Sequence, residues 1–330
     1  MKIFFDNVQF NSSSGPNRFA TNLAKTFTQL GHNVVQTPLC DIHLAFIEAR
    51  AKKQPRSVLI QRLDGIWFKP EDFIVKNERI KSLYQSSDGV VFQSDFDCRM
   101  IQHHWGEKAN NSRIIHNGFD RIHLSALDHT LESIKTNFHY VFSAAAHWHA
   151  QKRLGDVIRI FDKIVEEKCK MNEKCVLLIL GDVPINEMLQ YQRSTKNPGS
   201  IYFLGEKDIS YCLQTFAVSN WFIHPAWLDH CPNVVVQSLT MGTPVICSSS
   251  GGTSELLKLD CSDPSLFGII IEDSPYSYEL MNYDDPPRLN LDNFDVELVN
   301  KRVIDWRRPF SRVANEYLSF ATTLLEGNAT

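Results

Sequence analysis

Residues 221–257 read WFIHPAWLDHCPNVVVQSLTMGTPVICSSSGGTSELL. The apolar run Trp221–His224 stops at a proline, which predicts a short buried strand. A helix is predicted to begin near Asn233, and the run Pro244–Ser248 predicts a second strand that ends before Gly251-Gly252. Short buried strands separated by a helix are typical of a parallel sheet with helices on both faces.

The same alternation of apolar runs and amphipathic stretches extends over most of the chain, with a polar interruption at residues 119–137. In the first amphipathic stretch, Phe19, Leu23 and Phe27 recur every four residues, as they would on one face of a helix, and Gly31 ends the pattern. We therefore predict an α/β protein.

The polar stretch divides the chain into two predicted domains, residues 1–134 and 135–309. Each is predicted to be a Rossmann-like, doubly wound parallel sheet, and the two are predicted to face each other across a cleft. A last helix, at about residues 310–330, is expected to pack back on the first domain. In open sheets of this kind, ligands bind at the carboxyl ends of the strands.

Composition and charge narrow the classes of function. The 330 residues carry a formal net charge of −4, which argues against a protein that coats nucleic acid. Basic side chains slightly outnumber acidic ones in the first 130 residues, so an anionic acceptor such as DNA stays open. The longest apolar runs are far shorter than the ~20 residues of a membrane span. We expect no stable membrane insertion and a cytoplasmic location, which would be the host cytoplasm for a viral protein.

The eight cysteines are scattered, without a C-x-x-C pair. Several of them, such as Cys247, lie in apolar runs, where a buried free thiol is the usual interpretation. This usage favours a reducing compartment.

The 221–257 stretch also predicts an anion site. The amino end of a helix carries unpaired N–H groups and a partial positive charge, and Gly251-Gly252 allows a backbone to approach a ligand closely. Asp229 and Gln237 lie eight positions apart, one before the helix and one a turn into it. Both side chains are expected to offer acceptors to hydroxyl groups of the same ligand.

This arrangement resembles the retaining glycosyltransferases of family 4, which have the GT-B fold. The resemblance rests on His224-Pro225, Asp229, Gln237, the run GTPVI at 242–246 and GGTSE at 251–255. Further matching elements are IHNGFD at 115–120, HWHAQKRL at 147–154, LG at 180–181 and FLG at 203–205. Together they span nearly the whole chain.

The resemblance implies transfer of a hexose or pentose from a nucleotide-diphosphate sugar, most commonly a UDP-sugar, to a hydroxyl acceptor, with retention and without a metal or other cofactor. It implies that Asp229 bonds donor-sugar hydroxyls, Gln237 meets the ribose, and Lys152 with Arg153 neutralises the diphosphate. Asp64, Lys152 and Asp229 are the candidate catalytic residues. The remaining donor-binding candidates are Gly15, His147, Gly205, Cys231, Pro232, Asn233 and Val234.

Two positions depart from the family pattern. The second acidic position holds Gln237, which brings no charge, and the usual phosphate-binding arginine has no clear match, with His147 as the nearest candidate. On the acceptor side, relatives often carry a histidine where this chain has Arg62 and Asp64. A carboxylate there would stabilise a developing oxocarbenium ion or bind an acceptor hydroxyl.

Other functions stay open on the same residues. A sugar-nucleotide epimerase or hydrolase would use the same scaffold, and Gln237 gives some weight to a non-catalytic protein that binds nucleotides or glycans. The His147-x-His149 pair lacks a carboxylate or cysteine at ligand spacing, so no metal site is expected. The acceptor is open between a polysaccharide, a protein glycan, a small metabolite and a hydroxymethylated DNA base.

Overall fold

The computed structural model describes residues 1–12, 14–108, 111–124, 126–170, 172–298 and 304–327. The strands are β1 (Lys2–Asp6), β2 (Asn33–Val35), β3 (Ile42–Phe46), β4 (Val58–Leu63), β5 (Gly89–Phe92), β6 (Ser112–Ile114), β7 (Tyr140–Ala145), β8 (Cys175–Leu180), β9 (Ile201–Gly205), β10 (Trp221–His224), β11 (Val245–Ser248) and β12 (Gly268–Ile271). The helices are α1 (Gly15–Gln29), α2 (Pro70–Ser86), α3 (Asp95–Trp105), α4 (His129–Asn137), α5 (Leu154–Lys168), α6 (Ile185–Ser194), α7 (Ile209–Val218), α8 (Asn233–Thr240), α9 (Thr253–Lys258) and α10 (Phe310–Gly327).

The chain divides into two compact units. The first consists of Met1–Asp120, Ser277–Asn282 and Arg308–Thr330, and the second of Arg121–Tyr276 and Tyr283–Arg307. The C-terminal helix therefore lies in the first unit, although it follows the second in sequence. The last three residues of the range predicted for it, 328–330, lie outside the described residues.

The first unit is built on a parallel sheet with the order β2-β1-β3-β4-β5-β6. Phe19 and Leu23 of α1 and Tyr317 of α10 pack in one buried cluster with the apolar side chains of one sheet face. On the opposite face, Ala45 and Leu59 pack with the helical residue Leu83. Helices thus cover both faces, as the alternation in the sequence predicts.

The second unit has a parallel sheet with the order β12-β11-β10-β7-β8-β9. Val157 and Phe161 of α5 pack on one face. On the other face, Leu131 and Ile134 of α4 pack against Val141 and its neighbours in β8. The prediction of two doubly wound parallel sheets is confirmed.

The order of strands creates a switch point in each sheet. The chain leaves β7 toward β8 and β9, then returns to the other side of β7 to form β10. In the first sheet, β1 lies between β2 and β3 in the same way. In open α/β sheets, ligands bind at the carboxyl edge beside such a switch point.

Two expectations differ from the structure. The predicted boundary after residue 134 falls inside α4, whose apolar residues pack on the sheet of the second unit. Cys175 opens an apolar run, where a free thiol is expected, but it is joined to Cys169 in a disulfide between α5 and β8, whereas Cys247 is buried and free. Among the described residues, no helix combines the length and the hydropathy that crossing a membrane requires.

Candidate functional site

Backbone contacts at the switch point of the second unit bring two strand-end loops together. The loop after β7 forms a 3-10 turn, Ala150–Lys152. The loop after β10 is joined to it by a hydrogen bond of 2.8 Å from Trp227 N to Gln151 O. As a result, Lys152 from one loop meets Asp229 from the other.

Asp229 accepts contacts from two side chains at the same carboxylate oxygen. Lys152 Nζ lies 2.5 Å from Asp229 Oδ2, and His224 Nε2 lies 3.1 Å from it. Because a carboxylate can only accept, His224 donates through Nε2. His224 is buried at the end of β10 and stacks on Phe222, whereas Lys152 and Asp229 keep 21% and 15% of their side chains exposed. A buried imidazole therefore anchors a carboxylate that still reaches solvent.

The electrostatics of this group favour charged Asp229 and neutral His224. Burial would raise the pKa of Asp229, but the charge of Lys152 and the hydrogen bond from His224 outweigh it and hold the pKa well below 3.8. Burial lowers the pKa of His224 below 6.5, against the opposing effect of Asp229. At neutral pH Asp229 is therefore a carboxylate and His224 is neutral.

Glycine allows the loop after β11 to support Asp229. Gly251 pairs with Asp229 in a parallel bridge, and Gly252 N donates to Asp229 O at 2.7 Å. A Cβ on Gly251 would lie 2.6 Å from Asp229 O, and the φ of Gly251 is +81°. Leu228, just before Asp229, also has a positive φ of 57°. Strained backbone of this kind concentrates at functional sites.

The predicted cradle lies at the start of α8. Pro232 is the N-cap and has no side-chain acceptor with which to cap the helix. Cys231 and Pro232 are buried, whereas Asn233, Val234 and Gln237 are half-buried. Backbone N–H groups at the amino end of a helix attract anions.

Gly205 and His147 flank this group along the same edge of the sheet. Gly205 ends β9, and its carbonyl accepts a hydrogen bond of 2.8 Å from Gly181 N at the end of β8. His147 is exposed in the loop after β7. Gly205 and His147 thus lie at or just after the carboxyl ends of parallel strands, as the sequence predicts.

Arg153 differs from the expectation that its guanidinium is available to a ligand. The side chain is only 2% exposed and forms a bidentate pair with Asp273, with N–O distances of 2.5 and 3.2 Å. It also donates to Pro287 O at 2.7 Å. Its partner Asp273 lies 120 residues away in sequence.

The first unit holds the remaining predicted residues. Arg62 is buried, with its guanidinium 4.2 Å from the centroid of the Phe19 ring, and it donates to Asn117 Oδ1 at 3.0 Å and to Asp64 Oδ1. Asp64 keeps 14% of its side chain exposed. The buried guanidinium of Arg62 therefore orients the partly exposed carboxylate of Asp64. Gly15, expected in a loop, is instead the first residue of α1 and is exposed, while Ser13 of that loop lies outside the described residues.

Sequence reasoning missed two backbone features of the first unit. Asn7 and Ile47 follow β1 and β3, on either side of the switch point, and have positive φ angles of 59° and 67°. Asn7 Nδ2 donates to Phe46 O at 2.8 Å, and Ile47 N donates to Arg62 O at 2.8 Å. Asn commonly adopts this conformation, but a β-branched residue rarely does, so no local signal identifies Ile47.

Comparisons with known proteins place the second unit in the range of a family match. Residues 132–262 match the family of glycosyl transferases group 1. The matched range contains Lys152, Asp229 and the start of α8. A curated relative, the uncharacterized glycosyltransferase MJ1059 of Methanocaldococcus jannaschii, is 25% identical over 241 residues, which cover 68% of this chain and 57% of that protein. The chain thus matches little more than half of the length of that relative.

Solved structures show the same fold. The structure of Anabaena Alr3699/HepE in complex with UDP has a TM-score of 0.62 and 17% identity, and the match covers 100% of this chain and 98% of that one. WaaG, a glycosyltransferase involved in lipopolysaccharide biosynthesis, has a TM-score of 0.58 and 11% identity, over 99% and 94% of the two chains. The fold is that of the GT-B glycosyltransferases. The sequence matches are to glycosyl transferases group 1 over residues 132–262 and to one curated glycosyltransferase over 241 residues.

Proposed function

We propose that this chain is a retaining glycosyltransferase of family 4 that takes a sugar from a nucleotide-diphosphate donor. The observation that carries the proposal is the meeting of Lys152 and Asp229 at the switch point of the second unit, beside the uncapped start of α8. A cation, a fixed carboxylate and helix N–H groups are what a sugar diphosphate requires. The second unit would bind the donor, and the first would present the acceptor.

In the proposed mechanism the diphosphate replaces Asp229 as the partner of Lys152. Asp229, still held by His224, then accepts hydrogen bonds from hydroxyls of the sugar, and Gln237 bonds the ribose. The bond between the anomeric carbon and the phosphate oxygen breaks as the acceptor oxygen bonds the same face of that carbon. The acceptor proton passes to a phosphate oxygen of the donor, so neither a protein nucleophile nor a metal is needed. Positioning and fixed charge supply the catalysis.

The donor is proposed to be a UDP-sugar, since the structures of HepE that resemble this chain were solved with UDP and with UDP-glucose. The transferred sugar is proposed to be a hexose or a pentose. On the acceptor side, Asp64, oriented by Arg62, would bind the attacking hydroxyl or stabilise the positive charge that develops on the sugar. The acceptor is proposed to be a glycan, with a hydroxymethylated DNA base as the second choice, and the location to be cytoplasmic.

Transfer from a panel of labelled UDP-hexoses and UDP-pentoses to glycan and DNA acceptors tests the proposal. Lys152→Ala and Asp229→Ala are expected to lower kcat/KM by about 100-fold or more, because each removes a charge that acts on the transition state. Lys196→Ala is the matched control, since Lys196 also forms a lysine–carboxylate pair, with Glu166 at 2.6 Å, but is 65% exposed.

Three outcomes contradict the proposal in different ways. Full activity in both variants would exclude this pair from the reaction. Turnover of the donor at the same rate without any acceptor would favour a hydrolase or epimerase. Binding without turnover over the whole panel would favour a non-catalytic protein, which the neutral Gln237 would suit.

A further inference from the structure

We propose that Arg153 is a positioning residue, which together with Asp273 holds Lys152 and Asp229 in place for the diphosphate and does not itself contact the ligand. The inference rests on the proposed function of the second unit. It assigns a role to Asp273, which no sequence pattern singles out.

The guanidinium of Arg153 joins three segments of the second unit. It pairs with Asp273, which follows β12, at 2.5 and 3.2 Å, and donates to Pro287 O at 2.7 Å. It also donates to Pro225 O at 3.3 Å, in the loop that carries Asp229. Its carbon Cζ lies 5.9 Å from the centroid of the Trp227 ring in the same loop. One buried side chain thus connects the Asp229 loop to the segment after β12.

The backbone of Arg153 fixes the 3-10 turn that carries Lys152. Arg153 follows Lys152 directly and has a left-handed conformation, with φ 52° and ψ 50°. Its N–H donates to Ala150 O at 3.0 Å and closes the 3-10 turn, and its carbonyl accepts from Val157 N at 3.0 Å in the first turn of α5. A non-glycine residue is held in this conformation only by its surroundings, and here the buried ion pair supplies them.

The charge of Arg153 is already compensated within the protein. Arg153 and Asp273 each expose only 2% of their side chains, so the pair is shielded from water. A bidentate guanidinium–carboxylate pair is specific in geometry, so losing Asp273 removes the contact that fixes the guanidinium, and among the described residues only Asp156 Oδ2, at 3.8 Å from Arg153 Nε, is left to compensate its charge. A direct role at the diphosphate would require Arg153 to leave Asp273, whereas Lys152 is already partly exposed.

These two roles predict opposite results for Asp273→Asn. A phosphate-binding Arg153, freed from its carboxylate, would bind a diphosphate as well as before or more tightly. A positioning Arg153 would lose its anchor, and the Lys152 turn and the Asp229 loop would shift. Diphosphate affinity would then fall, while the nucleoside part of the site would be unaffected.

The test is calorimetric titration of the full chain with UDP, GDP, ADP, CDP and TDP, followed by the parent nucleoside of the tightest ligand. For Asp273→Asn and Arg153→Lys we expect diphosphate binding about tenfold or more weaker and nucleoside binding unchanged. Lys152→Ala should show the same pattern, and adding Asp273→Asn to it should cost little more, because both act through one lysine. The titrations are carried out at a temperature at which thermal unfolding curves show every variant to be folded.

Lys163→Met is the matched control, because Lys163 also donates to the segment after β12, at Leu291 O, but pairs with Glu167 and not with a carboxylate that faces Arg153. It should bind like the wild type. Unchanged or tighter diphosphate binding by both Asp273→Asn and Arg153→Lys, with weaker binding by Lys152→Ala, would overturn the positioning role and leave the proposed function intact. Equal losses for nucleoside and diphosphate would also overturn it. If the wild type binds no nucleoside diphosphate, the proposed function fails and the inference fails with it.

Discussion

His224 couples the candidate site to pH. It is buried at the end of β10, with its Nε2 3.1 Å from Asp229 Oδ2, and burial lowers its pKa below 6.5. The unfolded chain takes up a proton near pH 6.5, whereas the folded chain resists it until a lower pH. This part of the stability is therefore fully present above pH 6.5 and is lost as the pH falls toward the folded pKa.

His224→Gln is expected to flatten the dependence of stability on pH below 6.5, because glutamine keeps a donor for Asp229 but does not titrate. Urea unfolding of both proteins at several pH values between 5 and 7.5 gives the free energy of unfolding. An unchanged slope in the variant would show that His224 does not contribute to it.

At the scale of elements, the site depends on how closely two strand-end loops approach each other. The loop after β11 contacts the loop after β10 through Gly251, where a Cβ would lie 2.6 Å from Asp229 O and 2.8 Å from Asp229 N. The φ of Gly251 is +81°, which favours glycine as well. The close approach to Asp229 and the positive φ of Gly251 both follow from the packing of β10 beside β11.

Gly251→Ala is expected to destabilise the protein and to weaken nucleotide binding, because the Asp229 loop has to move. Gly31→Ala is the matched control: Gly31 has a φ of +83° but nothing within 4 Å of an added Cβ. The control should cost only about 1–2 kcal/mol of unfolding free energy, from backbone strain. Urea unfolding and nucleotide titration measure both effects. Equal costs in the two variants would mean that the loops tolerate the added methyl group.

Much of the element pattern could be predicted from the sequence, because buried strands and amphipathic helices leave periodic apolar residues. The bounds of β10, Trp221–His224, and the start of α8 at Asn233 agree with those that the pattern predicts. Helix α6 has no such signal, since none of its described residues is buried. Helix α4 buries only two, Leu131 and Ile134, within a mostly polar stretch.

The candidate site was predictable where its residues lie within short motifs. Lys152 and Asp229 follow strands at recognisable spacings, and the structure brings them together. The Arg153–Asp273 pair was not predictable. The two residues lie 120 positions apart, and Asp273 stands in a segment without regular structure. Contacts of this kind depend on tertiary packing, which leaves no periodicity in the sequence.

At the scale of the whole molecule, the order of elements in the chain differs from their grouping in space. Helix α10 follows the second unit in sequence but belongs to the first, where Phe310, Tyr317 and Phe320 are buried in the cluster that also contains Phe19. The segment Ser277–Asn282 also joins the first unit. The chain therefore passes between the units more than once, so neither unit is a single continuous segment.

The central claim is that the carboxyl edge of the second sheet, where Lys152 meets Asp229, binds an activated sugar through its diphosphate. Hydrogen exchange of the full chain, with and without saturating UDP-glucose, tests it most directly. The account predicts slower exchange in peptides that cover residues 149–154, 226–236 and 249–253, and loss of this protection in Lys152→Ala. Protection confined to other peptides, or none at a concentration that binds, would contradict it.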